Sequence, residues 1–172
     1  KSKKINTINK KNNSFDIGKL QNHLRKIYYN TTKIKWIIKH NGAKDDVLLS
    51  NIKNLKTMFG KGPVTPDHVI RIKSKPLVIE SIINKKDNFI KNSIMKYASE
   101  YKKYFQKYKN TIKNAKISDP LPRIIIVPNL GYFSIGLTQK EEKISNDIFL
   151  SMKESIIDSN YVSTFKSINQ KE

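Results

Sequence analysis

Leu20, Leu24, Ile27 and Tyr28 fall at helical spacing and predict a helix that starts at Ser14 or Asp16 and runs to about Tyr29. A second and stronger pattern covers Asp87 to Lys113. There Ile90, Ile94, Tyr97, Tyr101, Tyr104 and Tyr108 repeat at intervals of three and four, with lysines on the opposite face. A third helix follows Thr138 and Glu141, which form a T-x-x-E capping box, and it carries Ile144, Ile148, Met152 and Ile156 on one stripe. Between these helices lie shorter apolar runs that read as strands. Ile34 to Ile38, with Trp36 inside it, precedes an Asn41-Gly42 turn, and Val47 to Leu49 reads as another short strand. Asn51 to Phe59 fits a helix stopped by Gly60 and Gly62. Pro76 to Glu80 is a strand candidate, and Ile124 to Val127 is continuously apolar, as a strand buried on both faces would be. Pro128 to Gly131 turns the chain, and Tyr132 to Ile135 returns as a partner strand ended by Gly136.

The stretch GPVTPDHVIRIKSKP, residues 62–76, holds the densest group of polar side chains. Pro63 and Pro66 stiffen its entry, because proline fixes its own φ and restricts the residue before it. His68 to Lys73 alternates as a strand does. That reading places His68, Ile70 and Ile72 on one face, with Val69, Arg71 and Lys73 on the other. Arg71 and Lys73 side by side are then suited to a phosphate or carboxylate. Asp67 is placed to orient His68 or to cap a backbone turn. Thr65, Asp67, His68, Arg71 and Lys73 are the candidate substrate-binding residues. The competing reading is a polar turn that leads into a half-exposed strand.

Composition changes this picture only a little. The 172 residues carry a net charge of +20, from 34 basic and 14 acidic side chains. A surplus of that size raises nucleic acid as a partner. Yet only Arg25, Arg71 and Arg123 are arginines, and arginine is the residue suited to bidentate contact with phosphate and guanine. The lysines are spread along the chain and accompany abundant Ile and Asn, a bias of base composition more than a footprint for a polyanion. A tyrosine ladder could stack single-stranded bases. A helix packed on a sheet with its hydroxyls at the solvent edge accounts for the same residues. No apolar run is long enough to span a membrane, and the basic start KSKKINTINKKNNS lacks the apolar stretch of a signal peptide. The absence of cysteine removes disulfides and thiol chemistry, and a cytoplasmic location fits that absence.

Catalytic motifs are sparse. His23, His40 and His68 have no ligand-like spacing. No nucleophile elbow, P-loop or G-x-G-x-x-G occurs. Pro66-Asp67 followed by Glu80 matches part of a nuclease metal motif, but Ile82 stands where that motif needs lysine.

Four ordered segments together resemble one family. GPVTPDHVIRIKSKPLV is similar to the G-x-VTPDH-x-IRTK-x-x-P-L signature of bifunctional class II aldolase/short-chain dehydrogenase proteins, a group that includes the rhamnulose-1-phosphate aldolase/alcohol dehydrogenase type. Tyr101, Tyr104 and Phe105 resemble its Y-x-x-YF segment, Asp119 to Arg123 its DP-x-PR, and IIIVPNLGYFSIGLT its strand, turn and helix start. Ile72 departs from the pattern, where the family has threonine. The likeness covers roughly residues 20–165.

The resemblance implies an α/β class II aldolase-like layered fold, with a mixed central sheet flanked by helices, as a degenerate or partial unit. It implies a flexible basic segment over 1–13, an aldolase-like domain over 14–158 and a linker over 159–172 toward a downstream dehydrogenase domain. The chain opens at Lys1 without an initiator methionine, as a piece of a longer protein would. The parent would be a sugar or sugar-phosphate aldolase joined to an NAD(P)-dependent dehydrogenase, with zinc and NAD(P) bound outside this segment. Its partners would be the flanking domains and the sugar substrate. A scaffold module joining two enzyme domains, or a basic nucleic-acid-binding domain, is the alternative. Residues 123–157 also resemble the class II aldolase pattern of strand, N-H-G turn, strand and helix. Here the turn reads Asn129-Leu130-Gly131, so leucine stands where a zinc-binding histidine would, and leucine has no lone pair to give. The segment is therefore expected to lack a complete active site and to be inactive alone.

Overall fold

The computed structural model describes residues 16–60, 66–79, 88–109 and 116–162. The basic segment over 1–13, Thr65 with Gly62 and Pro63, Glu80 with Ile82, and the last ten residues of the expected linker lie outside them.

Ten elements form a three-layered α/β fold. They are α1 (Ile17–Thr32), β1 (Ile37–Asn41), α2 (Lys44–Ser50), α3 (Leu55–Gly60), α4 (Pro66–Ile72), β2 (Leu77–Val78), α5 (Asn88–Tyr108), β3 (Ile124–Val127), β4 (Gly131–Gly136) and α6 (Gln139–Val162). The sheet is mixed, in the order β1-β4-β3-β2. β4 pairs antiparallel with both β1 and β3, whereas β2 runs parallel to β3. The parallel pair is joined through α5, the crossover that such a pairing requires.

Side-chain alternation sorts the core into two faces. Ile125, Val127, Phe133 and Ile135 pack on one side against Leu20, Leu24 and Tyr28 of α1 and Ile94 and Ala98 of α5. Ile124, Ile126 and Tyr132 face the other side and meet Leu49, Phe59, Ile72, Phe149 and Met152 from α2, α3, α4 and α6. β3 is thus buried on both faces, as its unbroken apolar run requires.

The local reasons are visible in the caps. Asp16 accepts a hydrogen bond from the Lys19 N–H at 3.0 Å and starts α1, and Lys33 in the left-handed conformation ends it. At α6 the Thr138 hydroxyl accepts from the Glu141 N–H at 3.1 Å. The Glu141 carboxylate reaches back to the Leu137 N–H at 3.0 Å, one residue beyond an ordinary capping box. Glu142, Ser145, Phe149 and Met152 are the buried residues of this helix; of the stripe expected from spacing, Met152 is fully buried, Ile148 packs partly buried beside it, and Ile144 is half-buried.

Two expected strands are helices. Val47 to Leu49 lies inside α2, where Asp45 and Asp46 occupy the first turn and favour the positive end of the helix dipole. Asp46 and Leu49 are buried while Leu48 is exposed, a spacing of three that a strand does not give. His68 to Ile72 lies inside α4, with Pro66 as the first helical residue, where its missing N–H costs nothing. The two-face alternation assigned to residues 68–73 therefore does not exist. β1 also begins three residues later than expected and continues through His40 and Asn41, because β4 supplies partners for those polar residues. α3 begins at Leu55, since residues 51–54 turn and Asn54 takes a positive φ. α5 ends at Tyr108 and α6 extends to Val162. No helix among the described residues is long and apolar enough to cross a membrane.

Candidate functional site

Lys73 stands just past the end of α4 in the left-handed conformation, φ 70°. That backbone is uncommon for a residue with a side chain. It turns the lysine away from solvent, and the residue is only 2% exposed. Its ammonium donates to the Ser118 hydroxyl at 2.7 Å and lies 4.6 Å from the centre of the Tyr101 ring. Burial lowers its pKa from 10.5 to about 8. The Arg123 cation pushes the same way, and Asp119 opposes them.

The segment Ser118 to Arg123 forms the other wall. Asp119 accepts from the Leu121 N–H at 3.0 Å and pairs with the Arg123 guanidinium. Arg123 also donates to the Leu121 carbonyl at 3.1 Å, and it stacks over Trp36 at 4.5 Å. Two phenols fix the surroundings. Tyr28 donates to the Pro122 carbonyl at 2.6 Å, and Tyr97 donates to the Lys75 carbonyl at 2.7 Å. Burial raises the pKa of both phenols, so they remain neutral donors. Tyr101 is raised as well, by burial first and the Asp119 charge next. The result is an amine close to its titration point, held beside a carboxylate, a guanidinium and neutral phenols.

The candidates read from sequence are only partly brought together. Lys73 is at the centre of this cluster. Arg71 is two residues away on a helix and so points elsewhere; it is exposed. The two are not the adjacent strand neighbours that spacing implied. Asp67 and His68 fall on the first turn of α4, with side chains outside the described set, as is all of Thr65. Arg123, Asp119, Ser118 and Tyr101 were not named as site residues, although three of the four lie in the family-like segments. The Ser118 contact spans 45 positions, and Asp119 and Arg123 lie farther still along the chain, so no local spacing encodes the cluster.

A second polar network, missed from sequence, lies on the α6 face of the sheet. Asn41 donates to the Ser134 hydroxyl at 2.8 Å, and Ser134 donates to the buried Glu142 carboxylate. The only signal for it was a serine inside an apolar strand. Asp46 and Lys153 pair nearby at 3.5 Å, tying α2 to α6.

The Asn129-Leu130-Gly131 turn has positive φ at Asn129 and Gly131. The Leu130 side chain packs against the first core cluster. The His40 ring lies beside the turn, with Nε2 at 2.7 Å from the Leu130 carbonyl. Because a carbonyl only accepts, Nε2 carries the proton and is engaged. These residues do not fit a zinc ion. Among the described residues, no three His, Cys, Asp or Glu side chains converge as a metal would need.

With the layered α/β fold and these turns in place, comparison with known proteins gives the class. Residues 17–172 match the family described as aldolase class II, second domain, and the chain belongs to that family. It is also similar to a Bacillus subtilis (strain 168) protein named uncharacterized oxidoreductase YuxG, with 25% identity over 120 residues. That match covers 67% of this chain and 17% of the relative's length. No solved structure matches the chain.

Proposed function

We propose that the chain is an aldolase-like domain, without metal of its own, within a bifunctional sugar or sugar-phosphate aldolase and NAD(P)-dependent dehydrogenase. The observation that carries this reading is the disparity between the two matches. A chain of an aldolase family aligns with only a small part of a protein named as an oxidoreductase. In the parent, zinc would polarise a substrate carbonyl and NAD(P) would accept hydride; both would be bound by other segments. Leu130 supports the metal-free role, since it fills apolar space where a ligand would stand. Lys73, Asp119 and Arg123, with Asp67 and His68 nearby in sequence, would face substrate or a neighbouring domain.

Two measurements test this. The full-length parent should cleave a sugar phosphate and reduce NAD(P) with a sugar-derived substrate; absence of both activities rejects the reading. Zinc titration of the 172-residue chain should give no stoichiometric tight binding. One equivalent bound tightly would reject the metal-free role.

A further inference from the structure

Ser118 is an exposed serine with a buried amine behind it. The Lys73 Nζ lies 2.7 Å from the Ser118 Oγ, and Lys73 itself is only 2% exposed. Lys73 leaves the end of α4 in a left-handed turn, whereas Ser118 belongs to the irregular segment before β3. Packing across 45 positions joins them, so the pair needs no local motif such as a nucleophile elbow. A hydroxyl within hydrogen-bond reach of a base, with the base oriented by a third group, is the arrangement that activates a nucleophile. The third group here is Tyr101 of α5, whose ring centre is 4.6 Å from the amine. Its phenol also hydrogen-bonds the Ser118 side chain, so one residue holds both members of the pair.

Exposure and charge divide the roles. A substrate can reach Ser118 directly, while the amine is shielded and holds its proton less firmly than in water. The charged groups acting on it are Arg123, which favours the neutral amine, and Asp119, which opposes it; Tyr101 stays a neutral phenol. With a pKa of about 8, roughly a tenth of the amine is neutral at pH 7. Among the described residues, Ser118 is its one hydrogen-bond partner. An ammonium has three donors to place there, whereas the neutral amine has a lone pair that accepts from the Ser118 hydroxyl.

We propose that Ser118 and Lys73 form a nucleophile and base pair that hydrolyses small carboxylic esters through an acyl-serine. The neutral Lys73 amine takes the Ser118 proton as Oγ bonds to the ester carbonyl carbon. The bond from that carbon to the alcohol oxygen then breaks, and the Lys73 ammonium gives its proton to the departing oxygen. Water attacks the acyl-Ser118 next. Its proton passes to Lys73 and on to the Ser118 oxygen as that bond breaks. The products are one acid and one alcohol, and nothing is oxidised or reduced. An ester suits the pair better than an amide, because an alcohol oxygen departs more readily than an amine nitrogen. This activity is independent of the aldolase reading and stands whether or not the parent is an aldolase.

A fluorophosphonate bonds covalently to activated serines with loss of fluoride. It is incubated with the 172-residue chain, and the labelled position is located by peptide mass mapping. One equivalent on Ser118 is expected, absent from Ser118→Ala. That variant changes an exposed residue and keeps the fold. Lys73→Met, which lacks the base, should slow labelling by about 10²-fold or more, the share of a positioned general base. The wild-type rate should rise with pH through a midpoint at about 8, and the midpoint should be lost in Lys73→Met. Hydrolysis of p-nitrophenyl acetate should fall in both variants. A lysine that only fills a hydrogen bond would leave Ser118 as inert as any other surface serine. No label on Ser118, a labelling rate unchanged in Lys73→Met, or ester hydrolysis unchanged in Ser118→Ala would overturn the proposal.

Discussion

Lys73→Met is expected to raise the melting temperature at pH 7 by about 4–8 °C, equivalent to about 2 kcal/mol for a chain of this size. The Lys73 amine is almost fully buried, and its pKa falls from 10.5 to about 8. That difference corresponds to a cost of about 3 kcal/mol for keeping the charged form in the fold. Methionine has similar length and no charge, so the cost disappears with the substitution. About 1 kcal/mol is returned because the bond to Ser118 is lost. The sign follows from linkage. Between pH 8 and 10.5 the unfolded chain binds more protons at this lysine than the folded chain, so wild-type stability rises with pH across that window. The contribution is fully present above 10.5 and is lost as pH falls through about 8. The advantage of the methionine variant should therefore shrink above pH 8 and, with the Ser118 bond lost, reverse before pH 10.5. Thermal unfolding of both proteins across that range checks it.

Gly131→Ala should destabilise the chain by about 2–4 kcal/mol, combining a left-handed backbone with forced overpacking. Gly131 has φ 94°, and a β-carbon there would collide with the Asn41 carbonyl oxygen of β1. The obstacle is backbone, so β1 must move as a strand. Gly60→Ala is the matched control: a β-carbon at that position meets nothing within 4 Å. Denaturant unfolding should show the Gly131 variant strongly destabilised and the Gly60 variant within about 0.5 kcal/mol of wild type. Equal stability of all three would contradict the register of β1 on β4.

The parts of the fold that were legible in the sequence are those whose burial is one-sided and long. α1 and α5 show this, since Leu20, Leu24, Ile27, Tyr28, Ile94 and Tyr97 are buried at the spacing the pattern displays. β3 was equally plain because both of its faces are covered. Short elements failed for a physical reason. Three apolar residues at 47–49 satisfy a strand and a helix alike, and only the exposure of Leu48 beside buried Leu49 decides. At 66–72 the alternating residues hid a stronger cue, a proline and an aspartate at the head of a helix. β1 was displaced because its second half is polar, which an edge strand tolerates.

The site was legible in pieces only. Lys73 stood out in its cluster, but the strand reading gave it Arg71 as a neighbour. The end of the helix separates those two, with Lys73 in the buried cluster and Arg71 exposed. Long-range contacts of this kind arise from tertiary packing, so the resemblance of separate segments to one family was the better guide.

Lys73 is a buried amine whose pKa is lowered to about 8 by burial first and by the Arg123 cation next, against the opposing charge of Asp119. The most direct measurement is an NMR pH titration of the lysine side-chain ε carbons, with the Lys73 signal assigned by its absence from Lys73→Met. One amine with a midpoint at about 8, absent from the variant, is expected. A Lys73 signal that titrates near the ordinary lysine value of about 10.4 would contradict a buried, pKa-lowered amine at this position.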